Sequence, residues 1–275
     1  MSDRPPLSEV AGDLRAEQEA LDAIVAGLTD EDWRLATPSP GWSVADQIGH
    51  LTYFDGAAVT AIVDPDAFRA SVKRLREAGD EADALTLHRH LSPLDLLEAW
   101  RGNRRGLAEA AAGLDDSTRV AWYGPPMSAR SFLTARLMEC WAHGQDVVDA
   151  LGAARPGTDR LRHVAQLGII TRGWSYVNRG LEPPAGDVRV ELTAPSGAHW
   201  RFGPGVDPVA GDADAKVDLV TGPALDFCLV VTQRRHVDDT ALECTGPLAR
   251  DWLEKAQAFA GPPTDGPPPG TRGGS

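Results

Sequence analysis

The sequence predicts an α+β protein: an antiparallel helix bundle over residues 1–182, a small α+β domain over 183–260, and a disordered tail over 261–275. Three observations predict this. Along the first two thirds of the chain, apolar residues recur at spacings of three, four and seven, which paints one stripe down each helix. Past Pro183-Pro184-Ala185-Gly186 the period falls to two, the mark of half-buried strands. From Gly261 onward Gly, Pro and Thr dominate with almost no apolar residue, a composition that cannot bury a core.

The elements follow in order. Leu7, Val10, Leu14, Leu21, Ile24, Val25 and Leu28 make the stripe of a first helix, and Thr29 with Asp32 caps a short turn carrying Trp33. Pro38-Ser39-Pro40-Gly41 breaks the chain. Ser43, three residues before Asp46 and preceded by Trp42, starts a second helix that runs to about Val63. A charged, Ala-rich stretch from Arg69 to Asp83 reads as a half-exposed helix. Ser92-Pro93 opens another, an N-cap followed by proline at the first helical position, with Leu94, Leu97, Trp100, Leu107 and Leu114 as its buried side. Further helices are expected from about Ser128 to Ala150 and from Thr158 to Asn178. Short or polar joins between them suit an antiparallel bundle. Beyond residue 183, Val188, Val190 and Leu192 alternate into a Pro195-Ser196-Gly197 turn, and Trp200 and Phe202 alternate out of it as a hairpin. Val217, Leu219 and Val220 supply another strand, and Leu242 to Cys244 a short one. Helices over Pro223–Thr232 and Pro247–Ala260 complete a small α+β domain.

Composition excludes several functions. The 275 residues carry 42% hydrophobic and 24% charged residues with a net charge of −13. That charge repels phosphate backbones and anionic membranes, so neither nucleic acid nor membrane is an expected partner. The absence of any apolar run of about 20 residues points the same way. Met1-Ser2-Asp3-Arg4-Pro5-Pro6 lacks the basic-then-apolar layout of a secretory signal, and the expected address is cytoplasmic. Cys140, Cys228 and Cys244, odd in number and widely spaced, form neither a disulfide framework nor a cysteine zinc cage. The glycines match no phosphate-binding or dinucleotide-binding loop. A monomer or homodimer is expected.

Chemistry concentrates at Glu139 and His143. Four residues apart on a helix, their side chains leave one face about one turn apart and can reach one ion. His50, flanked by Ile48 and Leu51, points toward the interior. Such Glu/His pairs are common on helices, and a lone histidine on an apolar face is as a rule a hydrogen-bonded core residue. Asp46, Tyr53 and Asp146 are spaced to hydrogen-bond a ligating imidazole, though each reads more readily as a packing or solvated residue. Trp42 and Trp141 pack around the site. Cys140 lies about 100° round the helix from Glu139 and should miss the metal. His88 and His90 read as exposed.

The segment Gly41-Trp42-Ser43-Val44-Ala45-Asp46-Gln47-Ile48-Gly49-His50-Leu51 resembles the W-[ST]-V-x5-H-L motif of the DinB-like superfamily, and most closely its mycothiol-dependent maleylpyruvate isomerase branch. Glu139-Cys140-Trp141-Ala142-His143-Gly144-Gln145-Asp146 resembles that family's E-x-W-x-H-x-x-D segment. The resemblance implies a DinB-like bundle followed by a sterol-carrier-like α+β domain. It implies that His50, Glu139 and His143 hold a divalent metal, with Zn2+ the first choice, and that mycothiol serves as a thiol cosubstrate. It also implies a functional arginine after an apolar helix of the second domain. Arg234 matches as the catalytic residue, and Arg235 beside it, with Tyr53, is assigned to cofactor contact. An arginine there could grip a carboxylate, or could be a charge favoured at a helix C-terminus.

The function expected is a metal- and thiol-dependent isomerase or S-transferase acting on a small electrophile. Two alternatives stand beside it: a hydrolase using metal-bound water at the same site, and a non-catalytic small-molecule-binding protein whose second domain captures an apolar ligand, the metal being structural or vestigial. Three ligands with no evident fourth leave an open coordination position, which suits chemistry better than folding alone.

Overall fold

The computed structural model describes residues 6–79, 88–203 and 217–271. The chain forms two compact units, Met1–Arg155 and Pro156–Ser275.

The first unit is helical: α1 (Leu7–Val25), α2 (Val44–Val63), α3 (Pro65–Ala78), α4 (Pro93–Ala111) and α5 (Ala129–Leu151). Its starts are where the caps place them. The Ser43 hydroxyl accepts from the Asp46 amide while the Asp46 carboxylate accepts from the Ser43 amide, a complete capping box at α2. Ser92 and Ser128 cap α4 and α5 through their hydroxyls. The α3 helix begins earlier than the charge pattern suggests, because Asp64 caps it and Pro65 takes the first turn. It ends at left-handed Gly79, and the remainder of the expected Arg69–Asp83 helix lies outside the described residues. A two-stranded ribbon unforeseen in the sequence, β1 (Arg119–Val120) with β2 (Met127–Ser128), turns the chain into α5.

Helix α2 is central, packing on α3, α4 and α5, while α1 packs on α4 and α5. Leu21, Val25, Trp33, Val44, Ile48, Leu51, Leu96, Leu97, Trp100, Cys140 and Val147 form its core. Leu94, expected inside, is 70% exposed; Leu96 takes the buried place beside Leu97. Leu114 falls beyond the end of α4.

The second unit starts earlier than the expected boundary at 182. The expected Thr158–Asn178 helix is two helices, α6 (Leu161–Ile170) and α7 (Arg172–Val177), meeting at Thr171. These pack on α8 (Ala224–Val231) and α9 (Pro247–Lys255) rather than belonging to the bundle. Helical periodicity marks a buried face without saying what buries it, which is why the boundary reads as 182 in the sequence and lies at 155 in the fold. The sheet has the order β4-β3-β5-β6, with β3 (Val188–Thr193) antiparallel to β4 (His199–Phe202) and parallel to β5 (Asp218–Pro223), and β6 (Glu243–Thr245) antiparallel to β5. Val188, Val190, Leu192, Trp200 and Phe202 are the buried members of the alternation. Asp218 caps α9 by accepting from the Leu248 amide at 2.5 Å. Gly246, at φ 91°, makes room for it: a Cβ there would stand 2.2 Å from the Asp218 carboxylate.

The segment from Gly261, expected to be disordered, is tied to this unit as far as Gly270. Arg179 pairs with Asp265 at 2.6 Å, Gln233 Nε2 donates to the Thr264 carbonyl at 2.7 Å, and the Gly270 amide donates to Asp239 at 2.8 Å. Polar side chains from earlier in the chain supply the anchoring that its own composition lacks. Among the described residues, no helix is long and apolar enough to cross a membrane.

Candidate metal centre

Helices α2 and α5 bring His50, Glu139 and His143 together. His50 sits on the second turn of α2, behind the Ser43 cap; Glu139 and His143 sit mid-way along α5, one turn apart. Both imidazole Nε2 atoms lie 3.2 Å from the same carboxylate oxygen, Glu139 Oε2. One donor atom from each residue lies within 4.8 Å of the others. Two ligands at about 2.1 Å from one ion and at a tetrahedral angle stand about 3.4 Å apart, so the spacing fits a small divalent cation. The donor set fits too: two imidazoles and one carboxylate suit zinc and its neighbours, and three protein ligands leave a position open.

Aromatic faces wall the site. The His50 and His143 rings stand 4.1 Å apart, Trp42 stacks nearly parallel on His143 at 5.9 Å and 16°, and Phe54 lies 4.6 Å from His50. Burial, with His143 close by, pushes the His50 pKa down from 6.5 to about 4. Burial alone would raise the Glu139 carboxyl, but its two histidine partners hold it well below the usual carboxylate range. Neutral His50 and ionised Glu139 are the forms a metal ion requires.

The residues expected to support the imidazoles make contacts of several kinds. Asp46 completes the α2 cap and pairs with Arg89 at 2.7 Å. Asp146 accepts from the Ser39 hydroxyl at 3.1 Å. Tyr53 meets the Tyr123 hydroxyl at 3.0 Å and lines a cavity of about 620 Å³ together with Phe68, His88, Asn103 and Tyr123. The residue that does reach one of the two imidazoles is Gln47, fully buried, whose Oε1 is 2.5 Å from His143 Nδ1. The sequence places Gln47 one turn before His50 but carries no sign of its contact with His143. Cys140 is buried in the core and is not one of the converging donors. His90 is exposed as expected, while His88 is half-buried.

Arg234 and Arg235 belong to the second unit, directly after α8. Gln233 takes the left-handed conformation at φ 61°, and the amides of Gln233 and Arg234 close the helix end on the carbonyls of Val230 and Leu229. Arg234 Nη1 donates to the Thr232 carbonyl, and Arg235 Nη1 to the Arg234 carbonyl.

Residues 14–148, which include all three donors, match the family described as the mycothiol maleylpyruvate isomerase N-terminal domain. An uncharacterized protein of Mycobacterium tuberculosis, present in strains CDC 1551 / Oshkosh and H37Rv, is 47% identical over 256 residues, spanning 92% of this chain and 96% of that one. Among solved structures, the crystal structure of the mycothiol-dependent maleylpyruvate isomerase aligns with a TM-score of 0.56 at 17% identity, covering 89% of this chain and 96% of that chain. A histidine-to-alanine mutant of the same enzyme aligns equally well. At that identity the likeness is one of fold.

Proposed function

The chain belongs to the DinB-like superfamily, in its mycothiol-dependent maleylpyruvate isomerase-like branch, and from that premise we propose that it is a metal-dependent isomerase or S-transferase using a low-molecular-weight thiol on a small electrophilic substrate. The observation that carries the proposal is the convergence of His50 Nε2, His143 Nε2 and Glu139 Oε2 at 3.2 Å spacings. His50, Glu139 and His143 would hold a divalent ion, with Zn2+ the first choice from the donor set. Bound there, the ion would supply Lewis acidity that favours the thiolate form of a thiol such as mycothiol.

The chain's own groups set the conditions for that chemistry. Glu139 contributes one negative charge and the two imidazoles none, so a divalent ion keeps net positive charge with which to attract a thiolate. Trp42 and Phe54 flank the histidines and exclude water from their faces. That exclusion strengthens electrostatic attraction at the site. Tyr53, in the neighbouring cavity wall, is proposed to contact the cosubstrate. Arg234 is proposed as the catalytic arginine, holding a substrate carboxylate, with Arg235 toward the cosubstrate; their guanidinium forks suit bidentate carboxylate recognition. Addition of thiolate to an electrophilic carbon, rotation and thiol expulsion gives isomerisation; persistence of the adduct gives transfer.

Metal analysis of purified protein beside His50→Ala and His143→Ala tests the centre: about one equivalent in wild type and none in the variants is expected, and a metal-free wild type that takes up no zinc would sink the proposal. Calorimetric titration of the metal-loaded protein with mycothiol and simpler thiols tests the cosubstrate. Heat of binding is expected; its absence would shift the reading to a hydrolase using metal-bound water or to a non-catalytic binding protein.

A further inference from the structure

A chain of hydrogen bonds that starts on a backbone carbonyl ends on His143, and each link leaves the next only one choice. The Trp42 carbonyl can only accept. It takes the Thr37 amide at 2.8 Å and the Thr37 hydroxyl at 2.9 Å. The hydroxyl proton is therefore committed, and Thr37 Oγ1 offers only lone pairs to its other neighbour. That neighbour is the Gln47 side chain, whose nearer atom, 2.8 Å away, must then be the amide nitrogen. This settles the orientation of a group whose two ends are otherwise assigned by their hydrogen bonds. The opposite end of the amide, Oε1, faces His143 Nδ1 at 2.5 Å. An acceptor at that distance requires a proton on Nδ1. Gln47 is fully buried, so solvent does not compete for either end.

From this geometry we infer that Thr37 and Gln47 are positioning residues that lock His143 in its Nδ1–H tautomer and so present a bare Nε2 lone pair to the ion. The inference rests on the metal reading above for its purpose and on the hydrogen bonds alone for the tautomer. Trp42 serves twice: its carbonyl sets the direction of the chain, and its indole stacks on the ring whose tautomer results. The loop before α2, held by the Ala36–Ser43 bridge, thereby orients a ligand carried by α5. Hydrogen-bond partners behind a metal-bound histidine fix its ring and raise its basicity, and their loss commonly costs about 10–100-fold in metal affinity.

Two measurements test this. Long-range 1H–15N NMR on metal-free protein reads the His143 tautomer directly. A proton on Nδ1 is expected in wild type and in Thr37→Ser, and its loss from Nδ1 in Gln47→Leu and Thr37→Val. Zinc competition against a chromophoric chelator is expected to show affinity falling about 10–100-fold in Gln47→Leu, falling less in Thr37→Val, and returning to the wild-type value in Thr37→Ser. Thr37→Val is close to isosteric and guards against a Gln47 variant that fails to fold. An unprotonated Nδ1 in wild type, or wild-type zinc affinity in folded Gln47→Leu and Thr37→Val, overturns the inference. A wild type that shows Nδ1–H but binds no zinc upholds the tautomer lock and sinks the metal reading instead.

Discussion

Helices α2 and α5 carry two buried polar layers, and the two are built on opposite plans. One turn or so from the candidate metal centre, Asp55 on α2 meets Arg136 on α5, while His50 on α2 meets Glu139 on α5. Moving forward along α2 means moving backward along α5, as antiparallel helices require. The Asp55 layer is saturated. One carboxylate oxygen accepts Gln18 Nε2 at 2.9 Å and Trp100 Nε1 at 3.1 Å; the other accepts Arg136 Nε at 3.3 Å and Nη2 at 2.9 Å. A carboxylate offers about four lone-pair sites, and here all are used. The Glu139 layer has no such cation: among the described residues, its carboxylate faces two imidazoles and pairs with no Lys or Arg. A buried carboxylate matched by a fixed guanidinium is structure. One that faces two imidazoles, with no guanidinium or ammonium beside it, has the donor set that could hold a divalent cation.

Breaking the saturated layer gives the largest effect. Asp55→Ala strands the Arg136 charge, and Arg136→Met strands the Asp55 charge, each in a place that is under 5% exposed. Loss of one partner from a buried pair costs about 3–5 kcal/mol, so both single variants are expected to unfold at much lower urea than wild type. The double variant Asp55→Leu/Arg136→Met is expected to recover much of the loss, because no charge is then left unpaired. Equal damage in double and single variants would place the energy in packing instead.

The open layer is expected to respond to metal more than to truncation. Metal-free His50→Ala and His143→Ala each leave Glu139 one imidazole partner and are expected to lose less stability than the Asp55 and Arg136 variants. Zinc at a hundred times its dissociation constant then stabilises wild type by about 2.7 kcal/mol and the variants not at all. Thermal unfolding with and without zinc reads both halves of the contrast. A variant that is crippled even without metal would make this layer structural like its neighbour.

Protons distinguish the layers as well. The folded His50 pKa lies near 4, below its ordinary 6.5, so between those values the unfolded chain binds a proton that the folded chain refuses. Stability of the metal-free protein is therefore fully present above pH 6.5 and declines as pH falls toward 4, by on the order of 3 kcal/mol if the whole shift is realised. The depressed Glu139 carboxyl continues the loss in the same direction at lower pH. Urea unfolding across pH 4–7 is expected to show this slope in wild type and a much shallower one in His50→Ala. Identical slopes would remove His50 as their source.

How much of this the sequence discloses follows from the reach of each interaction. Glu139 and His143 lie on one helix at a spacing that brings both to one face, and the E-x-W-x-H-x-x-D pattern around them distinguishes this pair from the many that share that spacing. His50 is 89 residues from Glu139, and only the motif around Trp42 connects them. Asp55 and Arg136 are 81 residues apart, and each reads in isolation as a charge on a helix. Gln47 is invisible for a further reason: its role depends on Thr37 and Trp42 folding back over the start of α2, a tertiary event with no periodic signature. The same holds in the second unit. Composition announces disorder after Gly261, but Arg179 and Gln233 hold that segment by bonds that composition cannot contain.

The smallest effect separates the cap of α2 from the centre behind it. Ser43 lies beside Trp42 and four residues before Gln47, so damage there could spread to His143 or stop at the helix end. The hydrogen bonds argue that it stops. Removing the Ser43 hydroxyl deletes its bonds with the Asp46 amide and carboxylate, but Asp46 keeps the Ser43 amide and Arg89. The chain leading to His143 hangs from the Trp42 carbonyl, and the Val44 amide still binds the Leu35 carbonyl across the loop. Ser43→Ala is thus expected to cost about 1 kcal/mol, a fall in Tm of about 2–4 °C, with zinc affinity unchanged. If zinc affinity falls tenfold instead, the cap and the metal layer are one unit, and the orientation of His143 depends on the first turn of α2 as much as on the loop before it.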